Sequence, residues 1–281
     1  MDHPLFEIVV TTAGATSIRN KLVNEIMHNP VGPWIEANSL YIEQSKLRQR
    51  LLEPTTQELV LFDVGLGAAA NSLATLACFD SVGDAQRPLK MISFEKDLTL
   101  LEFALAHADQ FEHFRGYENA LAEILKNGYW ENEKKTLSWS LRHGDFLELI
   151  ETEAEKPHLI FYDPYSPKVN QDMWTTACFK KLRQHCRVPD DGGTCLYTYS
   201  QATRIRVSLI AAGFFVGYGT ATGLKTETTE AATGIELLKR PLGNQWFTRW
   251  QKSHQRYPFD CAQEQQTEMD QAVQQYMNKW A

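Results

Sequence analysis

Four acidic residues stand at the ends of four strand-like runs: Asp63 in ELVLFDVG, Glu95 in LKMISFEK, Asp145 after TLSWSLRHG and Asp163 after PHLIFY. Each one alone reads as a solvated loop acid. Together they form an acidic rim, because open α/β sheets bind ligands beyond the carboxyl ends of their strands. A carboxylate at Asp63 can pair with a cationic amine. One at Glu95 can accept both hydroxyls of a ribose, and one at Asp145, followed by the ring of Phe146, suits an exocyclic amine on a stacked base. The set asks for a ligand with an amine, a ribose and an adenine but no phosphate.

The Gly65-Leu66-Gly67-Ala68-Ala69-Ala70-Asn71 turn after the first of these strands lets backbone amides approach such a ligand at a helix N-terminus. S-adenosylmethionine meets the description. A nicotinamide dinucleotide meets it less well, since acids beside the glycine turn repel a pyrophosphate. Asn71 and Lys96 complete the expected donor contacts with Asp63, Gly65, Gly67, Glu95, Asp145, Phe146 and Asp163. At the fourth strand, Asp163-Pro164-Tyr165-Ser166-Pro167 places a carboxylate, carbonyls and an aromatic ring in a loop framed by two prolines. Such a group of acceptors suits an amine nucleophile, and Asp163 is the candidate base or proton relay. Tyr165, Ser166 and Lys168 are the expected substrate contacts, with Lys168 on a phosphate or carbonyl. His28 and Glu36 flank a Pro-Gly loop that can cap the pocket.

The elements that must position these residues alternate strand and helix from residue 56 to about 240, which implies a doubly wound, mainly parallel sheet. The expected fold is α/β, a Rossmann-like sheet of seven strands with an antiparallel strand near one edge. FFVGYG and TGIELLKRP read as the two last strands, and GLKTETTEAATG between them as a mobile loop. Residues 1–55 read as a β-rich lead-in, with FEIVVTT and SLYIEQ as its strands; two prolines and a glycine between them argue against a long helix. Residues 241–281 read as an irregular and helical extension. There Trp246 and Trp250 are expected to pack on the core, while Lys239, Arg240, Arg249, Lys252 and Arg256 either face water or grip phosphates.

Composition excludes several classes. The 281 residues are 43% apolar, 11% aromatic and 22% charged, as in an ordinary globular protein and unlike a disordered or fibrous chain. Twenty-eight basic against 35 acidic residues give a net charge of −7, which argues weakly against indiscriminate nucleic-acid binding. The five cysteines form no C-x-x-C pair, so neither a metal site nor a disulfide framework is expected. No apolar run is long enough to span a membrane and no signal peptide is recognisable, which points to the cytoplasm.

The stretches FDVGLGAAANSL, MISFEK, FYDPYSPKVNQDMWTTACFKKL and GGTCLYTYSQATRIRVSLIAAGFFV resemble the MnmC-like methyltransferases, which complete 5-methylaminomethyl-2-thiouridine at the tRNA wobble position. MHNPVGPWIEANSLYI and TRWQKSHQRYPF extend the likeness, so that it covers most of residues 25–258. The resemblance implies a class I methyltransferase fold, S-adenosylmethionine as donor with S-adenosylhomocysteine as product, tRNA as substrate, and donor contacts at Gly65, Gly67, Glu95, Asp145 and Asp163, the last also catalytic. It raises Glu36 as a substrate contact. The larger family members add a flavin oxidase domain, for which 281 residues leave no room, so no flavin is expected and coupling to a separate oxidase is. One departure is Ala69, where the family usually has a third glycine; its methyl is expected to crowd the donor. The alternatives are methylation of another amine, on a small molecule or a protein, and a degenerate donor-binding scaffold without activity.

Overall fold

The computed structural model describes residues 3–26, 31–83, 87–222 and 226–279. Its centre is an eight-stranded sheet. In chain order the first three strands, β1 (Phe6–Val10), β2 (Thr16–Asn20) and β3 (Glu25–Ile26), form a separate antiparallel sheet. The eight that follow are β4 (Leu59–Val64), β5 (Leu89–Glu95), β6 (Tyr129–Glu131), β7 (Leu137–His143), β8 (Leu159–Tyr162), β9 (Cys195–Thr198), β10 (Phe215–Gly219) and β11 (Thr228–Ala232). They lie in the order β10-β11-β9-β8-β4-β5-β7-β6. The central five, β9, β8, β4, β5 and β7, are parallel. β11 runs antiparallel between β9 and β10, as expected near one edge.

The eighth strand is β6. Helix α5 (Glu118–Asn127; the other helices are introduced below) stops at Gly128, whose left-handed φ of 68° turns the chain back, and Tyr129–Glu131 then pairs antiparallel with β7. Alternate residues of β4 feed two cores, one on each face: Leu59 and Leu61 join one cluster, Val60, Phe62 and Val64 the other. That division explains the unbroken apolar run of a strand buried on both sides.

Helices α3 (Ala70–Asp80), α4 (Thr99–Ala106), α6 (Phe146–Thr152), α7 (Thr176–Gln184) and α8 (Thr203–Ala211) supply the crossovers, with α9 (Asn244–Lys252) and α10 (Gln266–Asn278) following the last strands. Two segments differ from the sequence reading. SLYIEQ is helical: α1 (Pro33–Glu36) continues as π-helical turns through Ala37–Glu43, and α2 (Leu47–Leu51) follows. Pro33 occupies the first helical position, where its missing N–H costs nothing. Ala37, Leu40 and Tyr41, spaced i, i+3 and i+4, are fully buried, a helical spacing that outweighs the β-branched look of the run. The last strand is also earlier than expected. Thr228–Ala232, inside the supposed loop, forms β11, whereas Ile235–Leu237 makes a single 3₁₀ turn. The threonines are at home there because their hydroxyls are paired: Thr228 with the Thr220 carbonyl and Thr229 with that of Ser200. Residues 223–225 of the loop lie outside the described residues.

The expected C-terminal tryptophans do pack on the core; Trp246 and Trp250 are both buried. Several basic residues beside them are engaged within the chain. Arg249 donates to the Tyr218 hydroxyl, Arg240 to the Gly219 carbonyl, and Arg256 lies over the Trp250 ring. Among the described residues no helix is long and apolar enough to cross a membrane, and no cluster of metal-ligating side chains occurs. All five cysteines are free thiols.

Candidate functional site

β4 leads to β5 and β7 on one side, and β8 leads to β9 on the other, so the strand order reverses between β4 and β8. A crevice opens at such a switch point. Here it is a cavity of about 570 Å³, lined from both sides. From the β4 side come Gly65, Leu66, Gly67, Ala68, Ala70 and Asn71. Glu95 and Lys96 follow β5, and Gly144, Asp145 and Phe146 follow β7. From the other side come Asp163, Pro164, Tyr165 and Ser166 after β8, with Tyr199 after β9.

At Gly65 the two walls come close together. Its φ is +89°, and a Cβ there would stand 2.7 Å from the Asp163 carbonyl oxygen and 2.9 Å from the Pro164 Cα. Glycine is therefore required twice over, by conformation and by contact. Gly67 also has a positive φ, and its N–H donates to Glu95 Oε2 at 3.0 Å. Glu95 Oε1 accepts from the N–H groups of Lys96 and Asp97 at 2.8 and 3.0 Å. Burial pushes the Glu95 carboxyl above the ordinary glutamate range, while these three backbone donors pull it back. The carboxylate is thus pinned by backbone, which fixes its direction before any ligand arrives. Asp145 caps α6 by accepting from Leu147 N at 2.9 Å, and Lys96 Nζ meets its other oxygen at 2.8 Å. The lysine holds the Asp145 carboxyl below the usual aspartate range. Lys96 is exposed at 72%, so this contact opens to solvent and a ligand can displace it at small cost.

Asp63 is elsewhere. It is wholly buried beneath the cavity floor, and its Oδ2 accepts from Ser72 at 2.6 Å and Ser93 at 3.0 Å. Trp139 Nε1 donates to Ser93 at 2.9 Å, which extends the network to β7. Burial drives the Asp63 carboxyl up to about 7. The expectation that it meets a ligand amine is corrected: on β4 it faces α3, and it braces the glycine turn from below. Lys168 is placed differently from the other expected substrate contacts. It is exposed and outside the cavity lining. Ala69 also differs from expectation. Its φ is 63°, an uncommon left-handed value for a residue with a side chain, but the residue is fully buried among the core apolar groups and does not line the cavity. Its methyl therefore does not crowd a ligand.

The acceptor side holds contacts that the sequence reading missed. Asn71 Nδ2 donates to Asp163 Oδ2 at 2.8 Å. Tyr199 donates to the Pro164 carbonyl at 3.1 Å, and buried Trp174 donates through Nε1 to that of Tyr165 at 2.8 Å. The lead-in then clamps the loop from outside: Asn20 Nδ2 reaches the Tyr165 hydroxyl at 3.4 Å, and Ser166 donates to Glu25 at 2.7 Å. Glu25, Ile26 and the nearly buried Glu36 line the cavity. The Ala13-Gly14 pair between FEIVV and TSIRN was the available signal for this hairpin. His28 lies outside the described residues. Among the described residues, six carboxylates line the cavity (Glu25, Glu36, Glu95, Asp145, Asp163 and Asp172) against one lysine, so it favours a cationic ligand.

Residues 111–234 match a family model described as an S-adenosyl-L-methionine-dependent methyltransferase. The chain is similar to proteins of the MnmC type. It is 26% identical over 227 residues to the Pseudomonas putida tRNA 5-methylaminomethyl-2-thiouridine biosynthesis bifunctional protein MnmC, covering 76% of this chain and 33% of that one. The protein of the same name from Campylobacter concisus is 23% identical over 82% of this chain and 36% of its own. The chain thus spans about a third of the length of these curated relatives. The crystal structure of MNMC2 from Aquifex aeolicus superposes with a TM-score of 0.73 at 22% identity, covering 96% of this chain and 83% of that one, and shows the same fold.

Proposed function

We propose that this chain is an S-adenosylmethionine-dependent N-methyltransferase that acts on the aminomethyl group of a modified wobble uridine in tRNA. The observation that carries the reading is the carboxylate-lined crevice closed by the Asp163–Ser166 loop. The residues present fit the donor: backbone-pinned Glu95 would take the ribose hydroxyls, Asp145 and Phe146 would hold the adenine, and the Gly65–Ala68 turn would let main chain approach it. Asn71 and Lys96 flank this wall. When bound, the donor supplies a methyl group on a sulfonium and leaves as the neutral thioether S-adenosylhomocysteine.

The chain's own residues do the rest. An alkyl ammonium must shed a proton before it attacks, since its ordinary pKa is about 10. Asp163, held by Asn71, accepts or relays that proton and aims the nitrogen lone pair at the methyl carbon. Tyr165 and Ser166 are held in place by Trp174 and the lead-in hairpin and form the acceptor's wall, with Glu36 attracting its charge. Alignment supplies much of the rate, so these supports matter as much as the base.

The tRNA acceptor rests on the names of the relatives, and so does coupling to an oxidase, which in this reading is a separate protein acting in the cytoplasm. The net charge of −7 favours a second reading, methylation of another amine. Transfer of labelled methyl to tRNA from cells lacking this modification separates the two. Label in the wobble nucleoside supports the first reading. Donor binding without any label in tRNA moves the assignment to another amine.

A further inference from the structure

Tyr41 is fully buried, and its hydroxyl makes no close hydrogen bond among the described residues, although it faces the Asp163 carboxylate as a longer-range partner. Other buried tyrosines are satisfied. Tyr162 donates to the Met173 carbonyl and Tyr276 to that of Val216. An unpaired phenol in the interior destabilises the fold relative to phenylalanine, so packing does not account for it. Its position does. Tyr41 lies in the π-helical turns of Ala37–Glu43, a widened geometry common at functional sites. Its ring packs on Phe161 with centroids 5.1 Å apart. Phe161 and Asp163 are two residues apart along the same strand direction and share a face, so a phenol lying along Phe161 brings its tip toward Asp163. The charged and titratable neighbours of that tip are Asp163 after β8, Glu36 on α1 and Tyr199 after β9. Burial, then the two carboxylates, push the ionisation of Tyr41 far up, so it stays a donor. Asn71 adds a second orphan. Its Nδ2 holds Asp163, while its buried Oδ1 has no partner and the residue lines the cavity.

We infer that Tyr41 is a positioning residue whose hydroxyl donates to the Asp163 carboxylate in the reacting complex and holds it against the acceptor amine, with Asn71 Oδ1 taking one of the amine hydrogens. This rests on the reading of the cavity as an amine-methylating site. Asp163 then has a donor on each side, Asn71 Nδ2 and Tyr41. The lead-in helix becomes part of the site.

The test is Tyr41→Phe, which keeps the ring and removes only the orphan hydroxyl. Three quantities are read: Tm, the kinetics of methyl transfer, and the affinities for S-adenosylhomocysteine and for sinefungin, an analogue that carries an amine where the transferred methyl would be. The expected result is a Tm equal to or above the wild type, kcat lowered about 10–100-fold with the donor KM within about two-fold, and weaker sinefungin binding beside unchanged S-adenosylhomocysteine binding. A wild-type kcat with unchanged sinefungin affinity overturns the inference. So does a kcat loss matched by losses in Tm and S-adenosylhomocysteine affinity, which would mean a structural role only. If the wild type binds neither analogue, the methyltransferase-site reading fails first and this inference falls with it, an outcome distinct from failure of Tyr41 alone.

Discussion

The two walls of the crevice are built by different means. The proposed donor wall comes from the ends of β4, β5 and β7, and its carboxylates are fixed mainly by backbone: Glu95 by the adjacent N–H groups of Lys96 and Asp97 and by that of Gly67 in the glycine turn, Asp145 by the helix it caps. The acceptor wall is a loop with little local support. It is held from a distance, by Asn71, Trp174, Tyr199 and the hairpin residues Asn20 and Glu25. A wall made by local backbone tolerates change in sequence far away. A wall held by remote side chains ties its chemistry to elements as distant as the N-terminal sheet, and substrate choice can change there without disturbing the donor.

The largest expected difference between the walls is at Asp163. Asp163→Ala should lower kcat by about 10²–10⁴-fold while donor affinity stays within a few-fold, measured by methyl transfer and by calorimetry. An equal loss in both would erase the distinction between the walls.

That difference also decides what was legible in the sequence. Most residues expected along the donor wall do line the cavity, because a strand-end acid beside a glycine turn is a local pattern. Gly65, Gly67, Glu95, Asp145 and Phe146 all line the cavity. The parallel core and the antiparallel β11 edge were legible for the same reason, although β11 itself was placed several residues too late. The acceptor wall was legible only as the DPYSP loop. Its supports Asn20, Glu25 and Tyr199 are joined to it by tertiary contact alone, which no spacing announces. Asp63 illustrates the opposite error. It has the right type and position, but strand alternation aims it at Ser72 and Ser93 instead of the cavity.

Asp63 sharpens the comparison from below. Its carboxyl lies near 7 when folded, against about 4 when unfolded. Below about pH 4 both states carry the proton. Between about 4 and 7 the folded state keeps it and the unfolded state does not, so this group's contribution to stability declines as pH rises and is flat above 7. Asp63→Asn should remove that decline. The wild type should lose on the order of 2–4 kcal/mol relative to the variant across this window, read from denaturant melts at stepped pH. A pH-independent difference would mean that Asp63 is charged in the fold.

Glu95→Gln tests the donor wall directly. It keeps the shape but removes the charge proposed to take the ribose hydroxyls, and donor affinity should fall about 10–100-fold. The smallest effect is expected at Ala69→Gly. A left-handed alanine is strained by about 1 kcal/mol, and glycine offsets that relief by its greater freedom when unfolded, so stability should change by less than about 1 kcal/mol. Donor affinity should not change, because the Ala69 methyl points into the core. A marked gain in affinity would show that the methyl does reach the donor.

The most direct test of the central claim is calorimetric titration of the wild-type chain with S-adenosylmethionine. The account predicts one saturable site per chain with micromolar affinity, typical of a preformed pocket that buries most of a ligand of this size. No heat at millimolar donor would contradict it, and the acidic crevice would then belong to another cation.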